Sequence, residues 1–175
     1  SSDEISKLSS ERVWIETSRA LCSSNPSNYF EKIISLDLIE PFFENLQIAH
    51  CHSHSDTEIR WSELQINNHF KLGNKMPIPN EFKNASNVLK SISKITNNVE
   101  ESHLIKIIED TQFKRNKELI DKLLTLPCLS KNKDYVSSIA DELNNTDFSF
   151  LSDIPKEKVE TEKSKIYKEI LKKFI

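Results

Sequence analysis

A single glycine, Gly73, is all that this chain of 175 residues contains, and the scarcity excludes whole classes of function. Phosphate-cradling loops of the Walker or dinucleotide type need several glycines, so that backbone N–H groups can approach the anion. Nucleotide binding by such a loop is excluded. Multi-hairpin β architectures are disfavoured too, because their tight turns call for residues at positive φ. Cysteine is also sparse. Cys22, Cys51 and Cys128 are odd in number, far apart and outside any C-x-x-C spacing, which argues for reduced thiols in a reducing compartment, with the cytoplasm as default. Nowhere does an apolar run approach the roughly 18 residues a membrane span needs, and no basic segment followed by an apolar one reads as a secretory signal.

What is present is helical periodicity. Val13, Trp14, Thr17, Ala20 and Leu21 recur at helical spacing across Glu11 to Ser23. Ser9 has the chemistry of an N-cap, Glu11 suits the first turn, and Leu8 can close over Val13 as a hydrophobic staple. Asn25 and Pro26 then supply a cap and a first-turn proline for a second helix with Tyr29, Phe30, Ile33 and Ile34 inward. Leu38 to Leu46 reads as a short apolar turn or helix, Gln47 to Asp56 as a polar loop, and Trp61 to Phe70 as a weak helix. From Asn80 to Ile95 a clear amphipathic helix places Phe82, Ala85, Val88, Leu89, Ile92 and Ile95 on one side. Val99 to Thr111, Asn116 to Leu126 and Lys133 to Leu143 are predicted as three further helices. Pro155 opens a last one, with Val159, Ile166, Ile170 and Leu171 inward. The expected class is all-α, an array of about seven to nine helices.

A formal net charge of -3 conceals an uneven distribution. Residues 1 to 60 hold ten acids against five bases, whereas residues 155 to 175 hold seven lysines against four glutamates. Lys114, Arg115 and Lys117 cluster at the start of one predicted helix, Lys156 and Lys158 at the start of the last. Lys83, Lys90 and Lys94 lie on the polar side of the helix at Asn80. Such stripes can track a phosphate backbone, each neutralised phosphate releasing condensed counterion. The plain alternative is a solvated helix face.

LSSERVWIETSRAL, followed by NPSNYFEKIISLDLIEPFFENL, resembles the segment of bacterial tRNA nucleotidyltransferases, the CCA-adding enzymes, that joins their catalytic head to a helical body. The resemblance rests on Leu8, Ser9, Glu11, Arg12 and Glu16, which match a short motif whose helix, in that family, braces the nucleotide-selecting helix upstream. IPNEFKNASNVLKSI is similar to the family's body helix beginning Pro-Asn-Glu, and DTQFKRNKELIDKLL to its aromatic-then-basic segment. TDFSFLSDIPKEKVETEKSKIYKEILKKF has the register of its closing tail helix. In this register residues 1–46 are neck helices, 47–79 an irregular connector where relatives carry a phosphohydrolase insert, and 80–175 an RNA-binding body and tail. The departures are Asp153-Ile154-Pro155-Lys156, where the family's tail usually has glycines beside lysines, and Lys131-Asn132-Lys133, where an arginine-rich turn is expected.

The resemblance implies that catalysis belongs to a head upstream. The family's paired-aspartate metal site, glycine-serine triphosphate loop and Glu-Asp-x-x-Arg helix have no counterpart in this chain, so Mg and CTP or ATP are expected in that head and no catalytic residue here. The implied partners are the acceptor and T arms of tRNA, and the implied RNA-binding residues are Lys83, Lys90, Lys114, Arg115, Lys117, Lys156 and Lys158. A bacterial poly(A) polymerase is the alternative within the superfamily, and an all-helical protein-interaction domain the alternative outside it.

AHCHSHSD, Ala49 to Asp56, is a competing constellation. His50, Cys51, His52 and His54 are zinc ligands by type, and alternate residues on an extended segment point the same way. A site would need a fourth ligand, for which His69 is the nearest histidine candidate, and a supporting shell of hydrogen bonds. The insert found here in relatives depends on an adjacent His-Asp pair, which this chain lacks, and an exposed polar loop is the expectation. Trp14 falls within the apolar periodicity and reads as core, while Trp61 leaves base stacking and burial both open. The carboxylate pairs Glu100-Glu101 and Asp141-Glu142 suit helix starts and exposed faces.

Overall fold

In the computed structural model the backbone is described for residues 2–174 and side chains for residues 9–174. The described residues form eight α-helices: α1 (Ser2–Leu21), α2 (Ser27–Ser35), α3 (Thr57–Asn67), α4 (Asn80–Ile92), α5 (Glu101–Thr111), α6 (Lys117–Leu123), α7 (Lys133–Asn145) and α8 (Lys156–Lys172). Single 3-10 turns at Pro127–Leu129 and Ser149–Asp153 complete the regular structure. The described residues contain no strand, so the class is all-α as predicted. Two compact units divide the chain, Ser1–Lys90 and Ser91–Ile175.

The first helix corrects the expectation that Ser9 is an N-cap. α1 starts at Ser2, so Ser9 lies well inside it. The residues ahead of Ser9 explain this: Asp3 and Glu4 favour a first turn, and neither proline nor glycine interrupts the run to Leu8. The proposed staple side chain, Leu8, lies outside the described side chains. α2 also starts one step later than expected, with Pro26 in the cap position and Ser27 as first residue.

In the first unit α1 packs on α3. The join is aromatic. The Trp14 ring stands edge-on to Trp61 at 5.4 Å and to Phe82 of α4 at 5.1 Å, the arrangement the ring quadrupole favours. Both tryptophans are buried, Trp61 to 1 % exposure, which resolves its reading in favour of core. Phe30 of α2 and Phe43 beyond it extend the same cluster, joined by Leu21, Leu46, Leu64 and Leu72. Thr17 is polar yet fully buried, at 0 % exposure. Its hydroxyl donates to the Val13 carbonyl at 2.8 Å and meets the Tyr29 hydroxyl at 3.1 Å, so no polar group is stranded.

Between α2 and α4 the chain is irregular except for α3, yet it is tightly tied. Asn68 accepts the N–H groups of Gln47 (2.8 Å) and Ile48 (3.0 Å) and donates to the carbonyls of Ile48 and Leu64, both at 2.8 Å. Gln65 pairs with both backbone groups of Leu72 in the same manner. The loop turns through left-handed conformations at His69 (φ 61), Phe70 (φ 58) and Gly73 (φ 76). At Gly73 a side chain would strike Ile78 and press on Trp61 at 3.0 Å, which accounts for the one glycine.

In the second unit α5 and α7 both pack on α8, and α6 packs on α7. Ile107, Ile108, Ile120, Leu123, Ile139, Leu143, Ile170 and Leu171 are buried there. Of the four residues expected inward on the last helix, Ile170 and Leu171 are buried while Val159 and Ile166 are half-buried. Asn132 donates to the carbonyls of Ile92, Ser93 and Ile95 at 3.2, 3.5 and 3.3 Å, tying the start of α7 to the segment before α5.

Candidate nucleic-acid interface

Two clefts, one in each unit, carry four of the seven basic residues singled out by sequence: Lys83 and Lys90 in the first, Lys114 and Arg115 in the second. The first lies beside α4. Lys83, Asn87 and Lys90 follow one another at positions i, i+4 and i+7 and therefore share a face of the helix. With Phe70 and Asn74 and the buried Trp61, Leu72, Gly73, Met76 and Ile78, they line a cavity of about 330 Å³. The Lys90 ammonium sits over the Phe70 ring, 5.8 Å from its centre. Gln65 and Ser86 also line the cleft, each held by an internal hydrogen bond, to Leu72 and to Ser62. The lining holds two lysines and no carboxylate.

The cleft of the second unit, about 450 Å³, is bounded by Phe113, Lys114 and Arg115 after α5, Phe148 after α7, and Glu160, Lys163 and Tyr167 of α8. Lys114 donates to the Thr146 carbonyl and lies over the Phe148 ring at 4.7 Å. Phe148 and Tyr167 are tilted against each other at 5.9 Å. Glu109 and Glu160 contribute negative charge, and together with burial they hold the Tyr167 phenol above its ordinary pKa, burial being the larger cause. Arg115 donates weakly to Gln112 at 3.4 Å.

The remaining basic positions differ in environment. Lys117 opens the seven-residue α6, where its ammonium meets Asp121 at 3.2 Å and Asp141 at 3.7 Å. Lys156 and Lys158 are exposed in the first turn of α8. Among the carboxylate pairs, Asp141 faces Lys117 and Glu142 accepts from Lys173 at 2.9 Å, so ion pairing accounts for them. Of the neck residues, Ser9, Glu11, Arg12 and Glu16 are all exposed on α1, and Glu16 pairs with Arg19 at 2.9 Å.

The Ala49 to Asp56 segment separates its ligand-type side chains. Cys51 turns into the core at 0 % exposure, and burial pushes its thiol up to about 12. His50 and His52 stay on the outer side with ring centres 4.4 Å apart. His52 Nδ1 lies 2.9 Å from the Ser27 hydroxyl, while His50 Nε2 is 3.0 Å from the Ser53 hydroxyl and 3.7 Å from the buried Glu63. His54 Nδ1 accepts the Asp56 N–H at 2.9 Å. Among the described residues no group of three or more His, Cys, Asp or Glu side chains is placed to hold a metal ion. The three cysteines form no disulfide, and Cys22 and Cys128 are exposed.

Sequence reasoning missed Arg60, Gln65, Asn68 and Phe70. The first three act through side chain to backbone bonds. For Phe70 the adjoining His69 and the turn at Gly73 were the only local signals, and neither has helical or strand periodicity.

An all-α chain with exposed lysines beside aromatic clefts has the equipment of an RNA-binding protein. Residues 1–49 match the family model described as "Probable RNA and SrmB- binding site of polymerase A". The match covers under a third of the chain and makes residues 1–49 similar to an RNA-binding segment of polymerase A-type enzymes. No curated protein and no solved structure matches the chain. Among the described residues no helix is long and apolar enough to cross a membrane.

Proposed function

We propose that the chain is the tRNA-holding neck, body and tail of a CCA-adding nucleotidyltransferase, whose catalytic head carries Mg and the CTP or ATP site. The observation that carries this reading is the order of the parts. A segment matching an RNA-binding region is followed by helices that keep Lys83, Lys90, Lys114, Arg115, Lys156 and Lys158 exposed, in the succession that the resemblance implies. Recognition would be of shape and phosphates, since the deep major groove of A-form RNA does not admit side chains. In this reading residues 1–46 form the neck, with Glu11, Arg12 and Glu16 on a face of α1 that would brace the head.

A second reading is a poly(A) polymerase, favoured by the description of the matched family model, which names polymerase A. That description also names SrmB, and the exposed Ile15, Leu36, Leu38 and Ile48 all lie in the matched segment, where a protein partner would be sought. Substrate choice separates the two enzymes. The chain should bind a tRNA acceptor and T-arm hairpin ending at the discriminator base at least several-fold more tightly than unstructured RNA of equal length. Equal binding to any single-stranded 3' end supports the polymerase A reading, and an affinity indifferent to salt removes both.

A further inference from the structure

The cleft beside α4 lies outside residues 1–49, so the family match assigns it nothing. We propose that it is a subsite for one unpaired nucleotide of an RNA strand, with the base against the Phe70 ring and flanking phosphates on Lys83 and Lys90. The proposal rests on the RNA-binding reading above and adds a place and a mode.

Four features of the cleft select this occupant. Its charge is of one sign, since the lining holds Lys83 and Lys90 and no carboxylate, which favours an anion. It offers an aromatic face at the rim, the platform on which single-stranded bases stack whatever their sequence. Asn74 and Asn87 are exposed at its edges, and their amides carry the donors and acceptors that a base edge requires. At about 330 Å³ it stands at the small end of the roughly 300–1,000 Å³ typical of ligand pockets, room for one nucleotide rather than a helix.

The contact between Lys90 and Phe70 shows how the site would exchange partners. At 5.8 Å the ammonium is near the outer reach of a cation–π interaction, about 6 Å, so this contact with the ring is weak. A base stacked on the same ring replaces it, and the ammonium turns to the phosphate. The cleft of the second unit is the poorer candidate, because Glu109 and Glu160 line it.

The test uses the whole chain and a short single-stranded RNA carrying one 2-aminopurine, whose fluorescence falls when it stacks. Wild type should bind and quench. F70L should lose about tenfold in affinity, the scale of one base stacked on an aromatic ring, together with the quench, whereas F70Y should retain both. Changing Lys83 and Lys90 together to glutamine should lower the log–log salt slope by about 1.4, the value for two single-strand phosphates. The lysine pair is exposed and reports on the same site should F70L disturb the fold. If wild type binds RNA while F70L and the lysine pair leave affinity, quench and slope unchanged, the subsite is wrong and RNA binding stands. If wild type binds no RNA even at about 50 mM salt, the RNA-binding reading fails and the subsite with it.

Discussion

The guanidinium of Arg60 closes the C-terminal end of α1 by donating from Nη1 to the Leu21 carbonyl at 2.7 Å, across 39 residues of chain. The same nitrogen reaches the Ser23 carbonyl at 2.8 Å, and Nε reaches the His54 carbonyl at 2.6 Å. The last carbonyls of a helix have no partner within it and carry the negative end of its dipole, so a cation there is doubly suited. One side chain of α3 thereby fastens the end of α1 and the end of the loop leading into α3 itself.

R60A should therefore lower the unfolding free energy by about 2–3 kcal/mol, the scale for removing charged hydrogen bonds to backbone acceptors. R60K should recover part of this, since a single ammonium cannot reproduce the planar fork. Urea midpoints of the three proteins measure it. A loss below about 0.5 kcal/mol would mean that water satisfies those carbonyls equally well.

Asn68 plays the corresponding part for the loop at Gln47 and Ile48, with all four of its hydrogen bonds going to backbone groups. At 1 % exposure no water stands ready to replace it. N68A should cost about 2–4 kcal/mol by leaving buried backbone groups unpaired. N68D should also destabilise, because a carboxylate accepts from Gln47 and Ile48 but faces the carbonyls of Ile48 and Leu64 without a proton to give. Thermal melts followed at 222 nm discriminate these.

Helix positions were readable where apolar residues recur every three or four places, as in α4, expected over Asn80 to Ile95 and found over Asn80–Ile92. The start of α1 was not, because Ser9 and Glu11 have the look of a cap whether or not a helix precedes them. Only the chemistry of residues 2–7 could have decided it. α3 is displaced from its expected Trp61 to Phe70 because its first turn, Thr57 to Arg60, has a single apolar residue, Ile59, too little to show a period. The ties made by Arg60, Asn68 and Gln65 leave no periodic trace at all. The basic residues of the interface were visible as charges, but their neighbours were not. That Lys117 faces two aspartates while Lys83 and Lys90 flank an aromatic rim depends on tertiary placement.

Cys51 should be silent in the native protein. Thiol reagents act on the thiolate, and this thiol is both inaccessible and pushed up to about 12 from an ordinary 9.0. Two thiols, Cys22 and Cys128, should react at pH 8 without denaturant and the third only on unfolding. A raised folded pKa places the linked loss of stability on the alkaline side. The contribution is complete below about pH 9 and is lost as pH rises toward about 12, since only the unfolded chain releases the proton readily in that window. C51A should flatten the decline, and three fast-reacting native thiols would show that the loop opens.

The fold should not depend on metal. Cys51 points inward while His50, His52 and His54 each meet a hydroxyl, a carboxylate or a backbone N–H, so the segment presents no closed set of four ligands of the kind structural zinc requires. Excess chelator should leave the helical circular dichroism and the melting temperature unchanged. A fall in either would mean that the histidines rearrange around an ion, and that folding and metal binding are coupled.

The basic residues of the second unit should divide by environment rather than by charge alone. Lys117 is half-buried between Asp121 and Asp141, and freeing its ammonium for a phosphate would leave two carboxylates facing the RNA. Lys114 and Arg115 are exposed on the rim of an aromatic cleft, and Lys156 and Lys158 are exposed at the start of α8. If these side chains hold RNA phosphates, changing Lys114 and Arg115 to glutamine should weaken binding of a tRNA hairpin and reduce the log–log salt slope by about 0.7–0.9 for each phosphate no longer neutralised. The Lys156 and Lys158 pair should behave alike. K117Q should instead cost little RNA affinity and a few tenths of a kcal/mol in stability, the worth of a partly exposed ion pair. Filter binding across a salt series, with urea unfolding of the same variants, measures both quantities. Equal slope changes for K117Q and for the exposed pairs would show that the RNA responds to the net positive charge of this unit, with no pairing between a particular side chain and a particular phosphate.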